Sequence, residues 1–300
     1  NAGMVFTDRH VGGINYPKGG VGTIAEKLVK GLEKLGSKIR YKANVQEIMI
    51  KNNQAVGVRL INGEELFAKT IISNSTRWDT FGLNNVKKGL VKQKFVGKNE
   101  LVWSKNYKPS PSFVSIHIGV DKNIIKSNFN CHHIIVDKWD ELEDEKGVIF
   151  ISIPTLLDKN LAPEGKHIVH AFTPSSMNEW ENLPRKEYLK KKEEYFEFII
   201  NKISKIIPEI KDSIDHKEIG TPKTHKKFLG RFEGSYGPIP KKKLLGLLPM
   251  PFNTTSIKNL YCVGDSCFPG QGLNAVAFSG YACAHKIGSK LKINSPKLPD

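Results

Sequence analysis

No stretch of this 300-residue chain approaches the ~18 consecutive apolar residues that a membrane-spanning helix requires, so the sequence contains no candidate span. Cysteine is scarce. Cys131, Cys262, Cys267 and Cys283 are too few and too scattered for a disulfide framework. Cys262 and Cys267 form a C-x4-C without a second pair, which speaks against a zinc site and makes a reducing compartment the default expectation. A G-x-S-x-G elbow and a Ser-His-Asp signature are both missing, so hydrolase chemistry has no support. Missing too is a G-x-G-x-x-G turn with an acidic residue about 20 positions on, the element that holds a dinucleotide pyrophosphate. The chain opens on Asn1 without an initiator Met or a sorting signal. It reads as a fragment or a processed form, and its location cannot be inferred from a missing leader.

Positive charge is abundant. Lys and Arg number 46 against 30 Asp and Glu, a formal net charge of +16. Nucleic acid is the first partner such a balance suggests. The lysines are nevertheless dispersed, with local groups only at 190–192, 226–227 and 241–243. No aromatic-basic RNA signature, zinc finger or helix-turn-helix spacing accompanies them, so nucleic-acid binding is not expected. An anionic membrane surface suits a dispersed basic chain better, at about 1 kcal/mol per Lys or Arg near it.

The length allows one large domain or two ordinary ones. Val21, Ile24, Leu28, Leu32 and Leu35 recur at three- and four-residue intervals and stop at Gly36, which predicts an amphipathic helix. Short strands are expected at 38–41, 45–50, 56–60 and 70–73, with Asn62-Gly63 as a turn. Residues 78–108 read as polar and irregular. Further strands are expected at 112–120, 132–136, 148–154 and 168–172. A helix follows at 187–206, with Tyr195, Phe196, Ile199 and Ile203 on one side and Pro208 beyond it. These alternations make a mixed α/β (α+β) chain.

The carboxy-terminal block is the most informative. Leu260 to Val263 forms a short apolar strand closed by Gly264-Asp265; Pro269, Gly270 and Gly272 then lead into a helix of small residues from Leu273 to Ile287. A helix N-terminus presents unpaired N–H groups and partial positive charge. Glycines there let a planar or anionic group approach the backbone. Asp265, at the end of the strand, can accept hydrogen bonds from ligand hydroxyls. A ligand-binding turn is favoured over an ordinary strand-to-helix connection. For Gly19-Gly20-x-Gly22 the preference is reversed: no clear strand precedes it, so a structural turn is preferred to a phosphate cradle. Cys131-His132-His133 suggests metal, yet adjacent histidines on a strand point to opposite faces, and no metal site is expected. Asp8-Arg9-His10 is a polar cluster with catalytic potential, better read as a salt-bridged surface turn.

The run Tyr261-Cys262-Val263-Gly264-Asp265-Ser266-Cys267-Phe268-Pro269-Gly270-Gln271-Gly272, continuing through Ala275-Val276-Ala277-Phe278-Ser279-Gly280, resembles the flavin motif of the carotenoid (prolycopene) isomerases, phytoene-desaturase-like FAD-dependent flavoproteins. Agreeing segments are Asp8-Arg9-His10 with Gly12 to Pro17, Tyr41 to Val45, Thr70 to Asn74 with Thr76 to Gly82, Gly220 to His225, and Gly246 to Thr255. The resemblance implies an FAD/NAD(P)-binding, two-domain fold of the glutathione-reductase type, here N-terminally truncated, because the pyrophosphate-holding element would have to precede Asn1. It implies that 1–75 and 256–295 belong to the FAD-binding domain and 76–255 mainly to a substrate-binding domain.

The implied activity is redox-neutral cis-to-trans isomerisation of poly-cis lycopene on reduced FAD, in a plastid, with peripheral membrane contact. Gly264 and Asp265 would contact the ribityl-pyrophosphate region. Gly270, Gln271, Gly272 and Leu273 would lie against the isoalloxazine. Val45 would meet the adenine end, and Asn74 would close that side. Tyr16 and Tyr236 would line the substrate. The chemistry is flavin-borne, so no protein acid or base is named. The alternatives are a flavin-dependent carotenoid desaturase or retinol saturase, or a non-catalytic lipid-binding module.

Overall fold

The computed structural model describes residues 15–84, 86, 88–126, 128–142, 144–241 and 250–293. In chain order the α-helices are α1 (Gly22–Lys34), α2 (Arg77–Phe81), α3 (Lys98–Asn106), α4 (Arg185–Ile203), α5 (Pro222–Leu229) and α6 (Leu273–Lys290). The strands are β1 (Val45–Lys51), β2 (Gln54–Leu60), β3 (Glu65–Phe67), β4 (Ile71–Ser73), β5 (Tyr107–Pro109), β6 (Ser112–Asp121), β7 (His132–Val136), β8 (Val148–Ser152), β9 (Lys166–Ser175), β10 (Ile214–Gly220), β11 (Pro238–Pro240) and β12 (Leu260–Cys262). The chain divides into two compact units. One gathers 41–110 with 230–293, and the other 15–40 with 111–229. The dividing positions, 110/111 and 229/230, differ from the 75/76 and 255/256 expected from the resemblance.

The first unit contains the antiparallel sheet β1-β2-β3, the parallel pair β4/β12 and the antiparallel pair β5/β11. The β2–β3 connection is the expected Asn62-Gly63 turn: Gly63 takes a φ of +88°, where a Cβ would be strained. Its core surrounds Trp78, Phe81, Leu83, Val91 and Trp103, which lie in the stretch expected to be irregular. Two helices are formed there. α2 is capped by Thr76, whose side chain accepts from the Asp79 N–H, and closed by Gly82 in the left-handed region. The 38–41 strand is not formed; those residues are coil and turn without a ladder partner among the described residues.

The second unit is a five-stranded antiparallel sheet in the order β10-β6-β9-β8-β7. Strand alternation sends Val114, Ile116, Ile118 and Val120 to one face, where they pack with Tyr195, Phe196, Ile199 and Ile203 of α4. At ~25 cal/mol per Å2 of apolar area, each fully buried Val or Ile of this layer gains about 1.5–3 kcal/mol. Helix α1 forms as its periodicity predicts, yet it has no buried residue among those described. Val21, Leu28, Leu32 and Leu35 are exposed along its stripe.

Candidate functional site

The strand β12 runs parallel to β4, pairing Leu260 with Ile71 and Cys262 with Ser73. The Val263 N–H extends the ladder to the Ser73 carbonyl at 2.9 Å, and Gly264 then leaves it with a φ of +92°. A Cβ on Gly264 would stand 2.5 Å from Asn74 Oδ1. Backbone conformation and crowding both require glycine here, and together they seat Asn74 against the turn. The Cys267 N–H closes the turn onto the Gly264 carbonyl at 3.1 Å, and the Phe268 N–H is bound to the Pro251 carbonyl at 2.9 Å. Residues 264–267, 269 and 270 are buried and Phe268 is half-buried, whereas 271–274 are exposed. The expected seat therefore splits into a buried neck and an open rim.

The rim is the start of α6. Gly270 and Gly272 take φ values of +119° and +104°, and a Cβ added at Gly272 would meet nothing within 4 Å. Gly272 is the N-cap and makes no side-chain capping bond. The first-turn N–H groups, which lack intrahelical acceptors by geometry, thus begin at a position that no described residue crowds. Leu273 is 61% exposed at the same place. A planar group with partial negative charge fits this end of the helix.

Asp265 is 8% exposed and forms an ion pair with Arg231. That pairing was not legible in the sequence. Arg231 also donates to the Ser235 carbonyl and lies over the Tyr236 ring at 5.4 Å. Gly237, at φ +98°, brings this segment close enough that a Cβ would stand 3.2 Å from Gln271 Cγ and 3.5 Å from Asp265 Cβ. Residues 231–237 therefore line the 264–272 turn, and Arg231 links Tyr236 to Asp265. Burial pushes the Tyr236 hydroxyl up and the Arg231 charge partly opposes it, so Tyr236 keeps its proton. The Asp265 carboxylate already has a protein cation, and its capacity for ligand hydroxyls is what Arg231 leaves over.

The other expected residues are placed as follows. Half-buried Val45 opens β1 in the separate β1-β2-β3 sheet. Tyr16 lines a recess of about 420 Å3 with Lys18, Leu157 and Asp158. Burial raises the Tyr16 hydroxyl, assisted by Cys131 and Asp158. The Gly19 N–H donates to Asp158 Oδ2 at 2.7 Å, so the Gly19-Gly20 bend is bound by a carboxylate of its own chain. His132 Nδ1 meets Ser152 Oγ at 3.0 Å and His133 Nε2 meets the Asn130 carbonyl at 2.9 Å, as expected of a divergent pair. No three-residue metal cluster occurs among the described residues. Cys262, Cys267 and Cys283 are buried free thiols, and burial pushes Cys262 well up. Asp8-Arg9-His10, Gly12 to Ile14 and 246–249 lie outside the described residues, as do Lys242 and Lys243.

No protein-family model matches the chain. It is 55% identical over 293 residues to the chloroplastic prolycopene isomerase of Daucus carota, covering 97% of this chain and 47% of that protein. The chain resembles the carotenoid isomerases. It spans about half the length of the curated relatives it matches. Among solved structures it is similar to an oxidoreductase from Methanosarcina mazei (TM-score 0.60, 18% identity, 90% of this chain and 55% of that one). It is also similar to a variant of putrescine oxidase (TM-score 0.61, 10% identity, 91% and 53%). The expected mixed α/β fold is the fold of this chain, and these two structures share it.

Proposed function

We propose that the full gene product is an FAD-dependent isomerase that converts poly-cis lycopene to all-trans lycopene in a plastid. The observation that carries this reading is 55% identity, sustained over 97% of the chain, to plant proteins named as chloroplastic prolycopene isomerases. The open, glycine-flanked start of α6 supports it, because its shape and partial charge suit an isoalloxazine. A conjugated C=C rotates only when its bond order is transiently lowered; reduced FAD, when bound, supplies electron density or a reversible proton or hydride addition to that end.

In this reading Gly270, Gln271, Gly272 and Leu273 seat the ring, and the α6 dipole favours negative charge beside its N-terminus. Gly264 and Asp265 hold the ribityl-pyrophosphate side, with Arg231 fixing the Asp265 carboxylate. Asn74, expected to close the adenine side with Val45, is assigned to Gly264 instead because it stands against that glycine. Val45 contributes backbone at the adenine end. Tyr16 and Tyr236 are substrate-lining candidates, each within its own unit, and a bound polyene excludes water. The basic surface suits peripheral contact with an anionic membrane, from which an apolar substrate would be drawn.

The test is product mass. The full gene product with reduced FAD is expected to convert poly-cis lycopene to a trans product of identical mass. A product two hydrogens lighter or heavier would assign a desaturase or a saturase instead. A purified protein that carries no flavin and merely retains lipid would assign a binding module.

A further inference from the structure

Two arginines stand against the 264–272 turn, and they differ in what they face. Arg77 feels the buried thiols of Cys262 and Cys267 and is matched by Glu100 inside the core. Arg231 pairs with Asp265, and there the side-chain exposures are 21% and 11%, so this second pair reaches the surface. The first pair belongs to the packing of the unit. The second is open to a ligand.

The pair leaves the carboxylate half engaged. Asp265 Oδ2 accepts from Arg231 Nη2, while Oδ1 meets the Ser266 hydroxyl only at 3.5 Å. Arg231 Nε donates to the Ser235 carbonyl, and the guanidinium lies 5.4 Å from the centre of the Tyr236 ring. Asp265, Ser235 and Tyr236 therefore hold the cation in one place. The same segment reaches the rim through Gly237, where a Cβ would stand 3.2 Å from Gln271 Cγ.

A carboxylate at this position has two opposed effects. Its second oxygen can accept a ligand hydroxyl, and its charge repels an anion seated in the turn. The repulsion bears on the group proposed here. FAD carries a diphosphate, and the reduced ring adds a negative charge that the oxidised ring lacks. Like charges repel more strongly in a partly buried site than in water. An unpaired Asp265 would therefore disfavour reduced FAD more than oxidised FAD. Arg231 cancels that charge and leaves Oδ1 to accept. A planar guanidinium suits the position, because it pairs with a carboxylate and lies on an aromatic face at once.

We infer that Arg231 is a positioning residue that sets the redox preference of the seat: by neutralising Asp265 it lets the turn hold reduced FAD. The inference rests on the flavin reading above and adds the residue that governs which oxidation state is retained.

The test uses the full gene product, with the FAD midpoint potential measured by spectroscopic titration and the Kd measured for each oxidation state. Arg231→Met is expected to weaken reduced FAD about tenfold more than oxidised FAD, which lowers the potential of a two-electron couple by about 30 mV. Arg231→Lys keeps the charge and is expected to return most of the potential, even where loss of the planar fork weakens both states alike. Arg231→Met combined with Asp265→Asn is expected to return it too, since no charge is then left to neutralise. A merely structural role would weaken both oxidation states equally and leave the potential unmoved. That result, or a wild-type potential in flavin-loaded Arg231→Met, would overturn the inference. Should Arg231→Met not load, Arg231→Gln, which keeps a donor for the Ser235 carbonyl, carries the same expected shift. A wild-type protein that takes up FAD in neither state would overturn the flavin reading itself, and this inference with it.

Discussion

Arg77 is the residue on which the first unit's core chemistry turns. Its Nη1 donates to Glu100 Oε2 at 2.6 Å and its Nη2 to the Phe252 carbonyl at 2.8 Å, with side-chain exposures of 2% and 5% for the ion pair. Burial opposes the guanidinium charge, but Cys262, Cys267 and Glu100 around it outweigh that penalty and keep it protonated. Removing one partner leaves the other charge buried, which costs about 3–5 kcal/mol. Arg77→Met is therefore expected to lower unfolding stability by about that amount in urea denaturation, and Arg77→Met with Glu100→Leu to recover most of it. A single-variant loss of less than about 1 kcal/mol would show the pair to be dispensable. Gly264→Ala is expected to destabilise by about 1–3 kcal/mol, since a Cβ in that backbone region also strikes Asn74. At this scale the sequence was only partly legible. The glycines at 264, 270 and 272 carry backbone conformations that their residue type announces. Arg231 announces nothing, being a lone arginine 34 positions from Asp265 that the fold brings to it.

Among elements, the five-stranded sheet carries its own pH dependence. His170 binds its proton in the folded state near pH 4, against an ordinary value of 6.5. The unfolded chain thus protonates first, so neutral His170 costs nothing above about pH 6.5 and increasingly disfavours folding as pH falls toward 4. The slope from this group is at most about 1.4 kcal/mol per pH unit. Replacing His170 by Phe is expected to flatten the fall in stability between pH 6.5 and 4, measured by denaturation midpoints against wild type. An unchanged slope would place the titrating groups elsewhere. The strands β6, β8 and β9 were readable because their apolar residues recur strongly and one face of each carries buried side chains. The edge strand β10 was not, since its exposed His216, Lys217 and Glu218 dilute the pattern. Helices α2 and α3, of five and nine residues, are too short for a helical period to show. Tertiary burial of Trp78 and Trp103, whose rings lie 4.9 Å apart, organises that stretch instead. The 38–41 segment shows the converse, with strand-like residues that find no ladder among the described chain.

For the molecule as a whole, the charge of +16 is distributed as the sequence suggested, over solvated faces and local ion pairs. Lys191 pairs with Glu179 and Lys226 with Glu181. Such surface pairs contribute about 0–1 kcal/mol each. The mixed α/β fold was legible from the alternation of helical and strand periods, whereas a two-part chain that leaves one unit and returns to it was expected only from the resemblance, with boundaries other than those of the compact units. The open start of α6 is the proposed flavin seat. Its most direct measurement is the flavin content, by visible absorbance, of the purified full gene product beside its Gly272→Leu variant. The seat predicts near-stoichiometric FAD in wild type and loss of most of it in a variant whose circular dichroism is unchanged. Equal flavin in the two proteins, or none in wild type, would contradict it.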